Sequence, residues 1–489
     1  MPESLPILSA LLLEEADSGR PLYVEFESAL LTADLAWEGL IARLQRQRWL
    51  LLVSPLLIAG GKTRQLESAR RTEMLQAAAF PYRHDLVDAL TASAERGRRV
   101  ILVGSDTPEL RAAGQHLGLE VEPIAAPGDR DRLLEVAPGG FDYVTGSTRD
   151  IMALRGAVKG YVVGASRGER VKESLDHVRW LAPRRGLVAA LVKQLRPHQW
   201  SKNALLLVPV LLAAGVPRLD KLAIASLAAL TFSLCASAGY VLNDLLDLDA
   251  DRVHRSKRHR PFASGELPVV AGPPLFWSLL VVSFGLSVAF LAPQFTLLLA
   301  LYLVGTLTYS LYLKKQLLVD VLVLAGLYTH RILAGGVATA IEVTTWLLGF
   351  SMFLFTSLAF AKRYVELHAT QSEDQVKNRG YFKTDLQMVT AMGTASGYIA
   401  ALVFVLYVDS AAVKASYREP ALLWLILPVL LYWLGRVWLL AGRGQMQDDP
   451  VKFAMKDKVS LWCGALMAVI VGLARFTPDS LAGLLSWQP

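Results

Sequence analysis

Residues 239–268 read GYVLNDLLDLDADRVHRSKRHRPFASGELP, and no other stretch of the chain carries so much potential chemistry. Asn243, Asp247 and Asp251 are spaced i, i+4, i+8, and Asp244 lies three before Asp247, so a helix would bring these groups to one face. Several hard oxygen donors at one point, with positions open for phosphate oxygens and water, suit Mg²⁺ or Mn²⁺. The same carboxylates at membrane depth without a cation would each cost roughly 2.5 to 3.5 kcal/mol, so the cluster calls for metal or water. Arg252, Arg255, Lys257, Arg258 and Arg260 follow at once and supply donors to an anion that the carboxylates alone would repel. Carboxylate, metal and cation together read as a diphosphate site, with Tyr240 beside it.

Further polar groups interrupt apolar stretches. Arg196, Gln199, Lys202 and Asn203 precede the first apolar run, where Trp200 and Lys202 would also suit the headgroup level of a membrane. Tyr328, His330 and Arg331 lie inside an apolar run, and Arg331 should face a protein interior because lipid exposure would be costly. Lys362, Arg363, Tyr364 and Glu366 close another run. Asp320 stands without a second acidic residue nearby. His330 and His254 read as hydrogen-bonded or solvated residues rather than catalytic ones.

These groups must be positioned by membrane helices. Of 489 residues, 53% are hydrophobic and 19% charged, and mean hydropathy is +0.37, too apolar for a wholly soluble chain. The excess lies mainly after about residue 200. Nine candidate spans fall near 204–218, 222–242, 273–292, 295–313, 317–339, 344–361, 390–408, 421–441 and 459–475. The loops after spans two, four, six and eight, from Arg252 to Lys458, hold 16 Lys and Arg, against 5 in the alternate loops and tail. That bias predicts a cytoplasmic N-terminus and a cytoplasmic site in a bacterial-type plasma membrane. The net charge of +7 then reflects inner loops and anionic ligands rather than nucleic acid. Cys235 and Cys463, far apart in apolar stretches, offer neither a disulfide scaffold nor a metal site. The N-terminus MPESLPILSALLLEEADSG has no basic region before its short apolar run, unlike a cleaved signal peptide.

Residues 1–185 predict a separate soluble α/β domain with a parallel sheet: a strand in PLYVEFESALL, a helical stretch near 34–46, a helix over 84–96, a strand in RRVILVGS, a helix over 107–117 and a strand in FDYVTGS. VEFESAL resembles the first motif of the haloacid dehalogenase-like phosphatases, with Glu25 and Glu27 where that family has aspartates. Ser105 matches its second motif. Arg130 and Arg132 stand near its lysine, and Thr145, Gly146, Ser147 and Asp150 match its last motif without the principal metal-binding Asp. A nucleophile one methylene longer misplaces in-line attack, so the resemblance implies an inactive phosphatase fold serving a structural, lipid-presenting or regulatory role.

The stretch from Asn243 matches the Asn-Asp-x-x-Asp-x-x-x-Asp signature of the UbiA superfamily of intramembrane transferases, and residues 186–489 resemble that nine-helix all-α bundle. Within it the chain is most similar to the decaprenyl-phosphate phosphoribosyltransferases, through LRPHQWSKN, NDLLDLDADRVHRSKRHRPFASG, LYTHRILAGGVAT and FAKRYVELH. The resemblance implies Mg²⁺-dependent transfer of a phosphoribosyl group from phosphoribosyl pyrophosphate to a polyprenyl phosphate, a step of cell-wall precursor chemistry. Asn243, Asp244, Asp247 and Asp251 would hold the metal and donor. Arg252, Lys257, Arg258 and Arg260 would surround the donor phosphates, while Arg196, Gln199, Lys202 and Asn203 would meet the lipid phosphate. Tyr240, Asp320, Tyr328, Arg331, Lys362, Arg363, Tyr364 and Glu366 complete the expected substrate contacts. Prenyl transfer from a prenyl diphosphate to an aromatic acceptor is the alternative, disfavoured by the missing second Asp-x-x-x-Asp. A non-enzymatic lipid-binding module is a third reading, and a homo-oligomer is compatible with each.

Overall fold

The computed structural model describes residues 19–32, 35, 77–124, 129–147, 150–163, 177–181, 186–213, 218–254, 257–369, 380–411, 413, 417–446 and 450–476. The helical stretch expected near 34–46, all but residue 35, and Arg255 lie outside them. By its contacts the chain divides into two units, Met1–Arg196 with Tyr240–Ser278, and Pro197–Gly239 with Leu279–Pro489. The front unit therefore takes in the acidic motif as well as the expected 1–185.

Six strands, β1 (Leu22–Glu25), β2 (Val100–Gly104), β3 (Glu120–Pro123), β4 (Asp142–Thr145), β5 (Lys159–Val163) and β6 (Val178–Leu181), form one parallel sheet in the order β3-β2-β1-β4-β5-β6. Helices α1 (His84–Glu95), α2 (Pro108–Leu117), α3 (Arg130–Val136) and α4 (Ile151–Gly156) connect them. Parallel strands need helical crossovers that bury both faces, so their sequences are near-continuous apolar runs. Leu22 and Val24 pack on one face with Leu86, Leu90 and Leu110, and Tyr23 on the other with Phe141, Tyr143 and Leu154. Thr107 caps α2 by accepting from the Leu110 amide at 3.2 Å, and Pro108 starts that helix at no cost in hydrogen bonds. The first strand is shorter than PLYVEFESALL predicts. Chain direction changes at a π-turn over Phe26–Leu30, because the Glu25 carboxylate accepts from the amides of Glu27, Ser28 and Ala29. β3, β5 and β6 were not singled out from sequence, although KGYVV carries a strand-like apolar run.

Helix α5 (Leu187–Leu195) leads to the helical body: α6 (Leu219–Leu246), α7 (Leu248–Val253), α8 (Gly272–Phe290), α9 (Pro293–Leu311), α10 (Val319–Thr339), α11 (Thr345–His368), α12 (Leu386–Val408), α13 (Ile426–Gly442) and α14 (Lys458–Phe476). Among the described residues, eight helices (α6 and α8 to α14) are long and apolar enough to cross a membrane, making this a multi-pass membrane protein. Where the first span was expected, near 204–218, the described residues form a 3₁₀ segment, Pro197–Leu207, running into a five-residue helix, Val208–Leu212, and residues 214–217 lie outside them. Pro197 and Pro209 each lack an amide donor, which breaks the α-helical ladder there.

Polar side chains and small residues bind the membrane helices together. Trp433 Nε1 donates to Ser460 Oγ at 3.0 Å, Trp438 Nε1 to Ser357 Oγ at 3.1 Å, and Ser283 Oγ to the Thr231 carbonyl at 2.8 Å. At Gly335 a Cβ would stand 2.1 Å from the Leu206 carbonyl oxygen, so only glycine lets α10 approach the 3₁₀ segment. Gly335→Val should therefore lower the melting temperature of the detergent-purified protein, at a cost of about 1 to 3 kcal/mol, whereas Gly326→Val, at a site with open space, should not.

Candidate active site

α6 carries Tyr240, Asn243 and Asp244 in its last turns. The helix breaks at Asp247 (φ −99°, ψ 11°) and resumes as α7. Helical pitch survives the break, since Asp247 N donates to Asn243 O at 2.9 Å and Asp251 N to Asp247 O at 2.8 Å. Asp244 and Asp251 are each only 1% exposed. Asp244 is ringed by donors: Gln194 Nε2 at 2.9 Å, Arg196 Nη2 at 2.6 and 2.7 Å from its two oxygens, and Arg260 Nη1 at 3.0 Å. The same Arg260 nitrogen reaches Asp251 Oδ2 at 2.5 Å, and Lys257 Nζ lies 3.9 Å from Asp251 Oδ1. Arg196 adopts a left-handed backbone (φ 54°), which ends α5, and its guanidinium lies 5.1 Å from the Tyr240 ring centre. Burial pushes the Asp251 carboxyl above its ordinary range, and the adjacent Arg260 opposes that shift.

The i, i+4, i+8 spacing predicts four groups meeting at one point, but the structure gathers two of them, Asp244 and Asp251, around one guanidinium. Asn243 is turned about 100° from Asp244 by helical geometry, and Asp247 stands at the break. Among the described residues, no three of His, Cys, Asp and Glu are close enough to hold a metal ion. The donor chemistry nonetheless fits Mg²⁺: Asp251 Oδ1 is a buried hard oxygen with no hydrogen-bond partner, and the facing Asp244 carboxylate already binds cations. Arg252 is buried and Arg258 half-buried, with the Arg258 Nε lacking a hydrogen-bond partner. Gln194 escaped the sequence reading, although it lies two residues before Arg196, just outside the block that begins at Leu195.

The second unit holds two polar clusters. In one, buried Arg331 donates from Nε to Asn203 Oδ1 at 2.9 Å, from Nη2 to Tyr302 OH at 2.9 Å and from Nη1 to Leu327 O at 2.6 Å. It also lies 4.8 Å from the Tyr302 ring centre and 5.4 Å from that of Tyr328, while Lys202 Nζ is 5.8 Å from Tyr328. Asn203 Nδ2 in turn donates to Ser233 Oγ at 2.9 Å. Lys202, Asn203, Tyr328 and Arg331 thus come together, and Tyr302 joins them with no motif to announce it. His330 lies within 2.9 Å of the Leu298 carbonyl oxygen and stacks on Tyr302, a packing role.

In the other cluster, Asp320 (0% exposed) faces Arg363 (1% exposed) across 2.8 Å. Arg363 also pairs with Glu366 and reaches Tyr309 OH at 3.4 Å, and Tyr381 OH donates to Asp320 at 2.8 Å. Asp320, Arg363 and Glu366, expected at the substrate, here engage one another together with Tyr309 and Tyr381. Tyr364 stacks on His368, meets Trp438 edge-on and packs in the apolar clusters that hold Tyr328 and Tyr381, while Lys362 and Gln199 are half-buried. The same unit contains a cavity of about 480 Å³, lined chiefly by apolar and aromatic side chains including Leu347, Phe350, Phe404, Leu430, Trp433 and Met467.

At the carboxyl edge of the sheet, Glu25 ends the central strand β1 beside β4. Ser28 Oγ lies 3.3 Å from Thr145 Oγ1 and accepts from the Gly146 amide at 3.0 Å, while Thr145 Oγ1 donates to Asp150 Oδ2 at 2.6 Å. Burial raises the Glu25 carboxyl above its ordinary range, against hydrogen bonds from Ser28 and Glu27, and raises Asp150 as well. Glu27 and Ser105 are exposed.

Eight described helices long and apolar enough to cross a membrane, with buried polar clusters of both signs in the chain, mark a multi-pass membrane protein. The chain belongs to the UbiA prenyltransferase family, whose profile matches residues 204–473. It is 32% identical to y4nM of Sinorhizobium fredii, itself described as uncharacterized, over 92% of this chain and 90% of that protein. It is 38% identical to the decaprenyl-phosphate phosphoribosyltransferase of Mycobacterium tuberculosis over 39% of this chain and 64% of that enzyme. With the Mycolicibacterium smegmatis protein of the same name it shares 30% identity over 59% of this chain and 94% of that one. A solved UbiA homolog from Archaeoglobus fulgidus bound to DMAPP and Mg²⁺ superimposes with a TM-score of 0.43 at 17% identity, covering 58% of this chain and 98% of that one.

Asp320 and Arg363 are both fully buried. Arg363→Met should destabilise the protein by about 3 to 5 kcal/mol by leaving the buried Asp320 without its cation, and adding Asp320→Leu should recover most of that loss in a thermal melt.

Proposed function

We propose that this chain transfers the 5-phosphoribosyl group of phosphoribosyl pyrophosphate to a polyprenyl phosphate. A lipid phosphate oxygen attacks C1 of the ribose, the bond from C1 to the diphosphate oxygen breaks, and diphosphate departs. The observation that carries this reading is the engagement of Asp320. Its carboxylate is taken up by Arg363 and Tyr381, which leaves Asp244 and Asp251 as the acidic centre, while the Arg331 and Lys202 cluster is cationic. One acidic centre and one cationic centre suit two phosphorylated substrates better than a prenyl diphosphate and a neutral aromatic ring. Likeness to the two mycobacterial enzymes supports the same choice.

On this reading Asp244 and Asp251, with Asn243 and Asp247 on the same helical run, hold Mg²⁺ and the donor diphosphate. A divalent ion there supplies charge neutralisation for the departing diphosphate. Lys257, Arg258 and Arg260 orient the donor phosphates, and Arg252 and Arg196 set the charge around the carboxylates. Arg331 and Lys202, fixed against Tyr302 and Tyr328, bind the lipid phosphate, and the aromatic-lined cavity accepts part of the apolar tail. The attacking oxygen is already anionic, so no strong general base is required. Positive charge in the alternate loops between Arg252 and Lys458 supports a cytoplasmic site in the plasma membrane, and, with the segment before Leu219 counted as a crossing, a cytoplasmic N-terminus as well.

The front domain is read as a haloacid dehalogenase-like fold without hydrolytic activity. β1 lies at the centre of its sheet, and the Glu25 carboxylate is engaged by three backbone amides rather than presented for attack. A carboxylate so held is a poor nucleophile.

Purified protein given Mg²⁺, labelled phosphoribosyl pyrophosphate and a polyprenyl phosphate should move label into the organic phase. Asp247→Ala and Arg331→Ala should each reduce the rate by roughly 10² or more. Label recovered only when a prenyl diphosphate and an aromatic acid are supplied would replace this reading with prenyl transfer. Glu25→Gln should leave both the rate and the phosphorylation of the lipid product unchanged in thin-layer analysis.

A further inference from the structure

The loop after the acidic motif is held by the front domain. A Cβ on Gly265 (φ +71°) would lie 2.1 Å from Thr32 Oγ1, so the loop backbone rests directly on Thr32. Thr32 cannot yield easily, because its amide and hydroxyl both donate to the Pro81 carbonyl, at 2.8 and 2.9 Å. α7 packs against the turn Ala77–Ala79. His84, at the start of α1, is half-buried and feels the charge of Arg258, which together with burial lowers its pKa. Phe262 and Leu267 are completely buried, unusual for a loop of this charge. Lys193 Nζ reaches Glu266 Oε2 at 2.8 Å from α5, the helix that also supplies Gln194 to Asp244. Between these attachments sits Arg260, whose Nη1 occupies the space between Asp244 and Asp251.

A guanidinium and a divalent cation compete for the same two carboxylates, since each satisfies the negative charge that the other needs. We propose that the α/β domain is a clamp on loop 257–267 that decides whether Arg260 or a divalent cation is held between Asp244 and Asp251. The proposal rests on the reading of those carboxylates as the donor's metal site. In the clamped state Arg260 neutralises the pair. Release of the loop frees Arg260 to meet the incoming phosphate and opens the carboxylates to metal.

The test measures Mn²⁺ binding by electron paramagnetic resonance, and amide hydrogen exchange, on the full chain in detergent. Thr32→Trp, from the domain side, and Gly265→Ala, from the loop side, should each speed exchange over 257–267. Both should tighten Mn²⁺ binding roughly three- to tenfold while leaving exchange in the sheet strands unchanged. Arg260→Gln should tighten Mn²⁺ at least as much, and adding Thr32→Trp to it should produce no further change. Faster loop exchange with unaltered Mn²⁺ affinity, or additive effects in the Arg260→Gln background, would overturn the clamp. Absence of Mn²⁺ binding in every variant would overturn both the clamp and the metal site beneath it. Mn²⁺ shifts as expected but no phosphoribosyl transfer would leave the clamp standing and remove only the donor assignment.

Discussion

A charge withdrawn from water must be met by an opposite charge or by several hydrogen bonds, and this requirement shapes the polar architecture of the protein. Asp244 and Asp251 are almost wholly buried and draw in Arg196, Arg260 and Lys257. Asp320 and Arg363 meet each other, with Tyr381 and Glu366 completing the shell. Arg331 is satisfied by Asn203, Tyr302 and a backbone carbonyl, between two aromatic faces. Each network ties segments distant in sequence, so the same contacts that neutralise charge also fix where helices end and how closely they approach.

These networks are not chemically equivalent. The Asp320–Arg363 pair is buried on both sides, and removing Arg363 leaves Asp320 without its cation, which marks the pair as structural. Around Asp244 and Asp251 the balance is different, because the Arg260 guanidinium bridges two carboxylates that Arg196 and Lys257 also approach, and Asp251 Oδ1 accepts no hydrogen bond. Such a centre can exchange one cation for another. The cluster around Arg331 and Lys202 is cationic, with both side chains set against the Tyr328 ring. This contrast between a closed pair and an exchangeable one separates scaffold from site within a single class of interaction.

In the front unit a carboxylate at the end of the central strand is engaged by the backbone. β1 delivers residue 25 to the carboxyl edge of a parallel sheet, where loops commonly carry reactive groups. A glutamate at that place curls back to cap the following turn, leaving its oxygens occupied by amides. What the domain retains is a rigid surface, and Thr32 and the Ala77–Ala79 turn present that surface to the segment after the acidic motif.

Much of this was legible in local patterns. Apolar runs located the eight spans, alternating α/β segments announced a parallel sheet, and the spacing of Asn243, Asp244, Asp247 and Asp251 announced a helical acidic face, because periodicity is a property of neighbouring residues. Composition read residues 204–218 as one apolar run, while their described part is a 3₁₀ segment followed by a short helix, because hydropathy averages over the prolines there. Asp320 looked solitary and Arg363 looked free, yet they neutralise each other, and Gln194, Tyr302, Tyr309 and Tyr381 carried no motif at all. The amino-acid order determined which faces are apolar and which residue types could do chemistry. Only the tertiary structure decided which charge met which, because pairing depends on separations through space that no local spacing encodes.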